Sequence, residues 1–395
     1  MNGMINGSIG LTIIFQIYNL AGIYLHIPFC RRACHYCDFH FSTNSNTLPS
    51  MVEALGMELV LRRNELNGSK IQTIYFGGGT PSLLGSKQLD FLLNTIFQNY
   101  CVESNLEVTI ECNPEDIINE ELQDFKKIGI NRLSIGIQTL DDKALLLMNR
   151  NHDSKMSLLA LDKTLKYDFG NLNIDLMYGM PGETLGIWKT NLNLVAQYNI
   201  KHISCYNLTV ETRTALHHFL EKGKIAIPDD KWNKQIFELN GSFFLENGYE
   251  HYEISNFAKK DFISRHNSNY WKGEKYLGIG PSAHSYDGEN HRSWNISNNI
   301  KYISGIEKGD RNFEIEVLTP NNRINELIMI GCRTKWGIDL LKLDEVESLA
   351  SKTLIMQLEK ENLMDKFALT DKYLILKEEA KLFADQIASS LFFSD

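Results

Sequence analysis

The chain lacks several things that would place it quickly. A membrane span needs about 20 consecutive apolar residues, and the apolar N-terminal stretch 8–20 (SIGLTIIFQIYNL) is shorter than that. No Lys or Arg precedes it, so it also lacks the basic start of a secretory leader. Positive charge is in deficit: 40 Lys and Arg stand against 49 Asp and Glu, a net charge of −9. That balance argues against a nucleic-acid surface as the main business of the protein. A disulfide framework is missing too, because the 7 cysteines include four, Cys101, Cys112, Cys205 and Cys332, scattered singly. Such a set suits a reducing compartment, and the cytoplasm is the expected location.

What remains is ordinary in bulk and unusual in one place. With 395 residues, 43% of them hydrophobic, the chain can build one large domain and a small one. Residues 1–20 are expected to be an extension without fixed structure, since patterning begins at Ala21-Gly22. Directly after it, GIYLHIPFCRRACHYCDFHF sets Cys30, Cys34 and Cys37 in a C-x-x-x-C-x-x-C spacing. Three thiolates this close can hold three irons of a [4Fe–4S] cluster and leave the fourth iron open. An open iron can take the amino and carboxylate groups of S-adenosylmethionine (SAM), and the reduced cluster can split it to a 5′-deoxyadenosyl radical. The alternative is zinc. Zinc sites usually pair one C-x-x-C with a second, which is absent here, and His35 and His40 give no familiar zinc spacing.

Six short apolar runs follow one another: 22–29, 73–76, 107–111, 132–137, 172–177 and 202–208. Amphipathic stretches separate them at 49–66, 86–100, 115–128, 141–167 and 184–199. Strands alternating with helices predict β-α-β units and a parallel sheet. Six units predict an α/β fold, an open, partial β6α6 barrel over residues 21–248, rather than a closed barrel of eight.

In α/β barrels the chemistry gathers at the C-terminal ends of the strands. The odd residues of this chain fall there. Run one leads into the cysteines, run two into Gly77-Gly78-Gly79-Thr80-Pro81, run three into Glu111-Cys112-Asn113-Pro114. Run four ends at Gln138, with Arg150 in the next helical segment, run five carries Asp175, and run six brings Tyr206 and Asn207. Glycines let a backbone approach a ligand closely, though a plain strand–helix loop would look similar. Glu111 could accept from ribose hydroxyls or an ammonium, or be a solvated carboxylate. Asp175 in an apolar strand is costly to bury unpaired, so the polar mouth of the barrel is its expected place. Arg150 could grip a carboxylate bidentately or lie on a helix surface.

Beyond residue 228 the pattern changes. A helix over 230–246 ends at Asn247-Gly248, and residues 249–310 are rich in aromatics, His and Gly. They include His266, Tyr270 and Trp271, one metal-capable imidazole and two flat rings, the kind of partners a porphyrin wants. Otherwise this region simply closes the open side of the barrel, with His266 a hydrogen-bonded core residue. Residues 311–395 predict three helices, a hairpin at Thr370-Asp371-Lys372 and a last helix over 377–391, a mostly helical, winged-helix-like module. With no basic stripe, an interaction or lid role fits that module better than nucleic-acid binding.

Taken together, IPFC-x-x-x-C-x-Y-C, GGGTPS, E-x-N-P, SIGIQT, D-L-M-Y-G-x-P and GIGPSAHSY resemble the oxygen-independent coproporphyrinogen oxidase-like branch of the radical SAM superfamily, over roughly residues 21–391. The H-N-x-x-Y-W motif, His266 to Trp271, is similar to that of the haem chaperone subfamily of this branch. The resemblance implies Cys30, Cys34 and Cys37 as cluster ligands and Tyr24, Gly78 and Glu111 as contacts of a first SAM. It implies Tyr36, Gly79, Thr80, Gln138, Arg150 and Asp175 at the positions of a second SAM. His266, with Tyr270 and Trp271, is its candidate for haem contact.

Two functions compete. In the subfamily the chain resembles, haem is bound and passed to membrane respiratory haemoproteins, dimers are common, and transient membrane association follows from the recipients. In the oxidases of the branch, two propionates of coproporphyrinogen III lose CO₂ by a radical route. Those oxidases carry a further cysteine two residues after the third ligand, where this chain has Phe39. They also carry a long segment ahead of the cluster loop. Both departures favour the haem chaperone.

Overall fold

The structure is a computed structural model that describes residues 19–394. The expected N-terminal extension therefore lies outside the described residues up to residue 18, and the first strand begins slightly earlier than the expected run, with Leu20 already paired to Lys70. The first half runs β1 (Leu20–Ile27), α1 (Leu48–Leu61), β2 (Lys70–Gly78), α2 (Ser86–Asn99), β3 (Val102–Cys112), α3 (Asn119–Lys127), β4 (Arg132–Gln138), α4 (Asp142–Leu147), α5 (Ser154–Lys166), β5 (Leu172–Tyr178), α6 (Leu185–Gln197) and β6 (His202–Asn207). Strands β1 to β6 pair in sequence order, all parallel. This is the expected α/β partial barrel of six parallel strands. Parallel strands covered by helices are buried on both faces, and in β4 every residue is buried.

One predicted helix is two. Residues 141–167 break between α4 and α5, where Asn149 takes a left-handed φ of 59°. Such a residue ends a helix by freeing the chain to turn. The carboxylate of Asp153 then caps α5 by accepting from the Met156 amide at 2.7 Å. Arg150 thus sits in the break rather than on a helix.

The middle of the chain continues through α7 (Ala215–Glu221), α8 (Asp230–Glu246), β7 (Glu250–Glu253), β8 (Asn256–Ala258), α9 (Arg265–Lys272), β9 (Lys275–Ile279), β10 (His284–Tyr286), β11 (His291–Asn295), α10 (Asn299–Glu307) and β12 (Phe313–Val317). Among the described residues these strands extend both edges of one 12-stranded sheet, in the order β12-β11-β10-β9-β1-β2-β3-β4-β5-β6-β8-β7. Strand β9 runs parallel to β1, while β8 lies antiparallel on β6. No strand joins β6 to β9 among the described residues, so the barrel stays open. Helix α9 packs against β1, β2 and β9, and its His266 stacks on Tyr24 and Tyr75 of the first two strands.

The remainder is α11 (Pro320–Arg333), β13 (Ile338–Asp339), α12 (Leu340–Val346), α13 (Ala350–Lys360), β14 (Phe367–Leu369), β15 (Tyr373–Leu376) and α14 (Ala384–Ser390). It has its own core, with Ile324, Ile328, Leu354 and Leu374 fully buried. The last helix is shorter than the predicted 377–391, because Glu378–Phe383 form a 3₁₀ turn. That turn lets the buried Lys381 donate to the His251 carbonyl at 3.2 Å.

A buried ionic knot ties α1 to the β9–β10 edge. Glu58, fully buried, accepts from Arg62 at 3.0 Å, Asn295 at 2.7 Å, Tyr302 at 2.6 Å and the Gly280 amide at 2.8 Å. Arg62 in turn donates to the Gly278 carbonyl at 2.7 Å. Removing one member leaves a buried charge uncompensated. Glu58→Ala is expected to destabilise the protein by about 3–5 kcal/mol, read as a lower midpoint in urea unfolding.

Candidate functional site

The cysteine loop has almost no regular structure of its own, and hydrogen bonds from neighbouring segments set its path. It closes on itself where the Cys30 amide donates to the Ser42 carbonyl at 3.0 Å and the Ser42 amide to the Pro28 carbonyl at 2.9 Å. Its tip docks on the end of α4: the His35 amide donates to Met148 O at 3.1 Å, and Asn149 Nδ2 to Ala33 O at 2.8 Å. Arg31 reaches from the loop to Asp116, with Nη2 at 2.9 Å from Oδ1, and Ser82 donates to the other oxygen at 2.8 Å. Gly79 permits the closest approach, since a side-chain carbon there would lie 2.6 Å from the Phe29 carbonyl oxygen.

The three cysteines, none in a disulfide and all half-buried, line one cavity of ≈ 550 Å³ at the strand ends. Tyr36, Gly78, Gly79, Thr80, Glu111, Gln138, Arg150 and Asp175 share that wall. Tyr24 does not; it lines a neighbouring cavity of ≈ 510 Å³, which also touches Gly78 and Glu111. Cys112 borders the first cavity as well, but it is buried with its Sγ toward the Ile110 carbonyl.

The polar groups around the cavity are arranged rather than loose. Tyr75 Oη donates to Glu111 Oε1 at 2.8 Å, and the Gly78 amide to Oε2 at 3.2 Å. Burial outweighs these bonds and pushes the Glu111 carboxyl up to about 7. Asp175 is likewise raised by burial, against hydrogen bonds from Asn173 at 2.9 Å and Ser134 at 3.3 Å. Gln138 ends β4 with a left-handed φ of 66°, a strained backbone for a residue with a side chain. Arg150 donates to Asn113 Oδ1 and to the Gly136 carbonyl, each at 2.8 Å, and its Nη1 lies 3.5 Å from Cys34 Sγ. Its Nε is buried without a partner.

This donor set fits an iron–sulfur cluster. Three free thiols ring one cavity, a fixed cation stands beside one of them, and a buried N–H of that cation is left to be satisfied. Burial pushes the Cys30 thiol up to about 11, a cost that iron ligation, with its demand for thiolate, would offset. Among the described residues no three His, Cys, Asp or Glu side chains are grouped to hold a single metal ion. Sequence reasoning missed Arg31 and Asp116 and named Asn113 only within the E-x-N-P motif; only the fold shows that stretch bracing the loop.

His266 takes the second of its two expected places, that of a hydrogen-bonded core residue. It is 2% exposed, its Nδ1 is 2.8 Å from Thr73 Oγ1, and its Nε2 is 2.9 Å from Tyr270 Oη. Both nitrogens are engaged, and burial lowers its pKa to about 3. An axial bond to haem iron would require breaking one of these bonds deep inside the barrel. Tyr270 faces the ≈ 510 Å³ cavity and a further one of ≈ 420 Å³, whereas Trp271 faces only the latter, with its Nε1 buried and unpartnered. The three are therefore not brought together around one space.

Comparison with known proteins gives a consistent picture. The Radical SAM superfamily model matches residues 24–195. The chain is 35% identical over 318 residues to the heme chaperone HemW of Bacillus subtilis (strain 168), covering 80% of this chain and 84% of that one. It is 31% identical over 377 residues to the heme chaperone HemW of Mycobacterium tuberculosis (strain ATCC 25618 / H37Rv), 94% of each chain. The structure of coproporphyrinogen III oxidase (HemN) from Escherichia coli superposes with a TM-score of 0.81 over 95% of this chain and 90% of that one, at 22% identity, and so shares the fold. No helix among the described residues is long and apolar enough to cross a membrane. The cysteine loop, the barrel and these relatives together place the chain in the HemW family of the radical SAM superfamily.

Proposed function

We propose that the protein binds haem and delivers it to membrane-bound respiratory haemoproteins, and that it carries a SAM-binding [4Fe–4S] cluster on Cys30, Cys34 and Cys37. The observation that carries this reading is Phe39. It is 68% exposed on the wall shared by the two neighbouring cavities, at the position where the oxidases of this branch have a cysteine. A phenyl ring there offers a flat apolar face and no thiol chemistry. The relatives at 35% and 31% identity, both named heme chaperones, support the same side. Cytoplasmic location and a homodimer belong to this reading.

When bound, the cluster and SAM supply one-electron chemistry. The chain's own part is positioning. Glu111, held by the Gly78 amide and the Tyr75 hydroxyl, offers its carboxylate to the amino-acid end or the ribose of a SAM, with Gly78 and Tyr24 beside it. Tyr36, Gly79, Thr80, Gln138, Arg150 and Asp175 line the same cavity and make the proposed second SAM position. Arg150 is the cation for a carboxylate there, already aligned by Asn113 and Gly136.

Glu111 gives this reading a pH signature. Its carboxyl is raised to about 7, so it is protonated below that pH and an anion above it. Only the anion pairs with an ammonium. SAM affinity, measured by equilibrium binding to the reconstituted protein, is expected to fall as the pH drops from 8 to 6. Glu111→Gln is expected to bind weakly and to lose that dependence.

The oxidase alternative is tested by anaerobic turnover. Reconstituted protein with SAM, reductant and coproporphyrinogen III is expected to give no protoporphyrinogen by chromatography while an authentic oxidase run alongside does. Robust product would overturn the chaperone reading and make Phe39 a tolerated replacement.

A further inference from the structure

The GIGPSAHSY stretch is used by neither the cluster nor the SAM positions, although its Gly278 and Gly280 bind the Glu58–Arg62 pair. It forms the turn from β9 to β10 and one wall of the ≈ 510 Å³ cavity. The backbone there is tightly held. A side-chain carbon on Gly278 would fall 2.0 Å from the His284 carbonyl oxygen, and Ser282 adopts a left-handed φ of 64°. His284 starts β10 and pairs with Trp294 across the β10–β11 ladder.

Three imidazoles line this cavity: His26, His40 and His284. His26 has both ring nitrogens engaged and His40 has one. His26 has its Nδ1 3.2 Å from the Tyr24 hydroxyl and its Nε2 2.9 Å from the His40 carbonyl oxygen. His40 has its Nε2 2.7 Å from Asn299 Oδ1. His284 is exposed, and among the described residues no group forms a hydrogen bond with its ring. Its one ring contact is a stack on Trp294, centroids 5.5 Å apart at 25°. Partial burial lowers its pKa below the ordinary value, so the ring is neutral and keeps a lone pair at neutral pH.

The rest of the cavity carries flat aromatic faces on its wall, among them Phe39 and Tyr276, together with the carboxylates of Asp38 and Glu111. The Asp38–Phe39 segment, Gly78 and Glu111 separate it from the cluster cavity and belong to both walls. A neutral imidazole free to bind iron, with aromatic faces beside it, is what a haem requires of a protein.

We propose that His284, not His266, is the axial imidazole for haem, and that the porphyrin sits in this second cavity, beside the SAM cavity and across the Phe39 segment from it. This rests on the haem-binding reading given above. It differs from that reading in naming the ligand and the cavity, and the two fail differently. The rigid turn and the Trp294 stack hold the imidazole in place before haem arrives, which limits the ordering cost of binding.

The test is an anaerobic haemin titration of the full chain carrying its cluster. Affinity is read from the Soret band and axial ligation from magnetic circular dichroism. Wild-type protein is expected to bind with an imidazole-ligated signature. His284→Ala, a change at an exposed side chain, is expected to keep the native far-ultraviolet circular dichroism, to bind about tenfold or more weakly and to lose that signature. His284→Gly is expected to regain the signature when free imidazole is added. His284→Ala binding haemin with wild-type affinity and spectrum would overturn the assignment and leave the haem-binding reading standing. Failure of the wild type to take up haemin at all would overturn both.

Discussion

The constraint on which the site depends is that a loop without secondary structure must present three thiols in a fixed arrangement. Nothing within the loop can do this alone. The barrel does it from outside, because every strand of the parallel set ends on the same face. The β2 end supplies the glycine that lets Phe29 and its neighbours pass closely. The segment after β3 supplies Asp116, which holds Arg31, and Asn113, which holds Arg150. The break between α4 and α5 supplies the carbonyl that receives the loop's tip. Ordering a loop costs backbone entropy at each residue, and these contacts are spread along its length accordingly.

Charge follows from the same enclosure. The carboxyls of Glu111 and Asp175 and the thiol of Cys30 are all raised chiefly by burial. The Arg150 guanidinium stays charged, held up by Tyr36 and Cys34 beside it. Such a cavity is poorly solvated and rich in groups whose charge is costly until a partner arrives. Ligands that bring an ammonium, a carboxylate or iron would relieve that cost. The neighbouring cavity shares Asp38, Phe39, Gly78 and Glu111 with the first and adds Tyr276 and His284, whose ring has no hydrogen-bond partner among the described residues.

Much of this was legible in the chain itself, for local reasons. Short apolar runs between amphipathic stretches marked the parallel strands, though the run at 73–76 proved to be the centre of a longer strand, Lys70–Gly78. The site residues could be grouped because strand ends share a face. Long-range facts were not legible. Strand β9 lies beside β1 some 250 residues earlier, a pairing that no local pattern encodes. The split of residues 141–167 had a signal in Asn149-Arg150-Asn151-His152-Asp153, a left-handed exit and a cap, but the amphipathic period ran across it. His266 misled because an imidazole near two aromatics looks alike whether it faces a ligand or, as here, Thr73 and Tyr270 in the barrel interior. His284 was named only as part of a motif, since its lack of a partner is a property of the fold.

The measurement that bears most directly on the account is Mössbauer spectroscopy of the anaerobically reconstituted, ⁵⁷Fe-labelled protein, with and without SAM. Four irons per chain are expected in a cubane cluster, with one iron whose parameters shift on addition of SAM, and with none retained in a variant lacking Cys30, Cys34 and Cys37. A protein that takes up zinc in place of the cluster, or a cluster in which all irons are indifferent to SAM, would contradict the account.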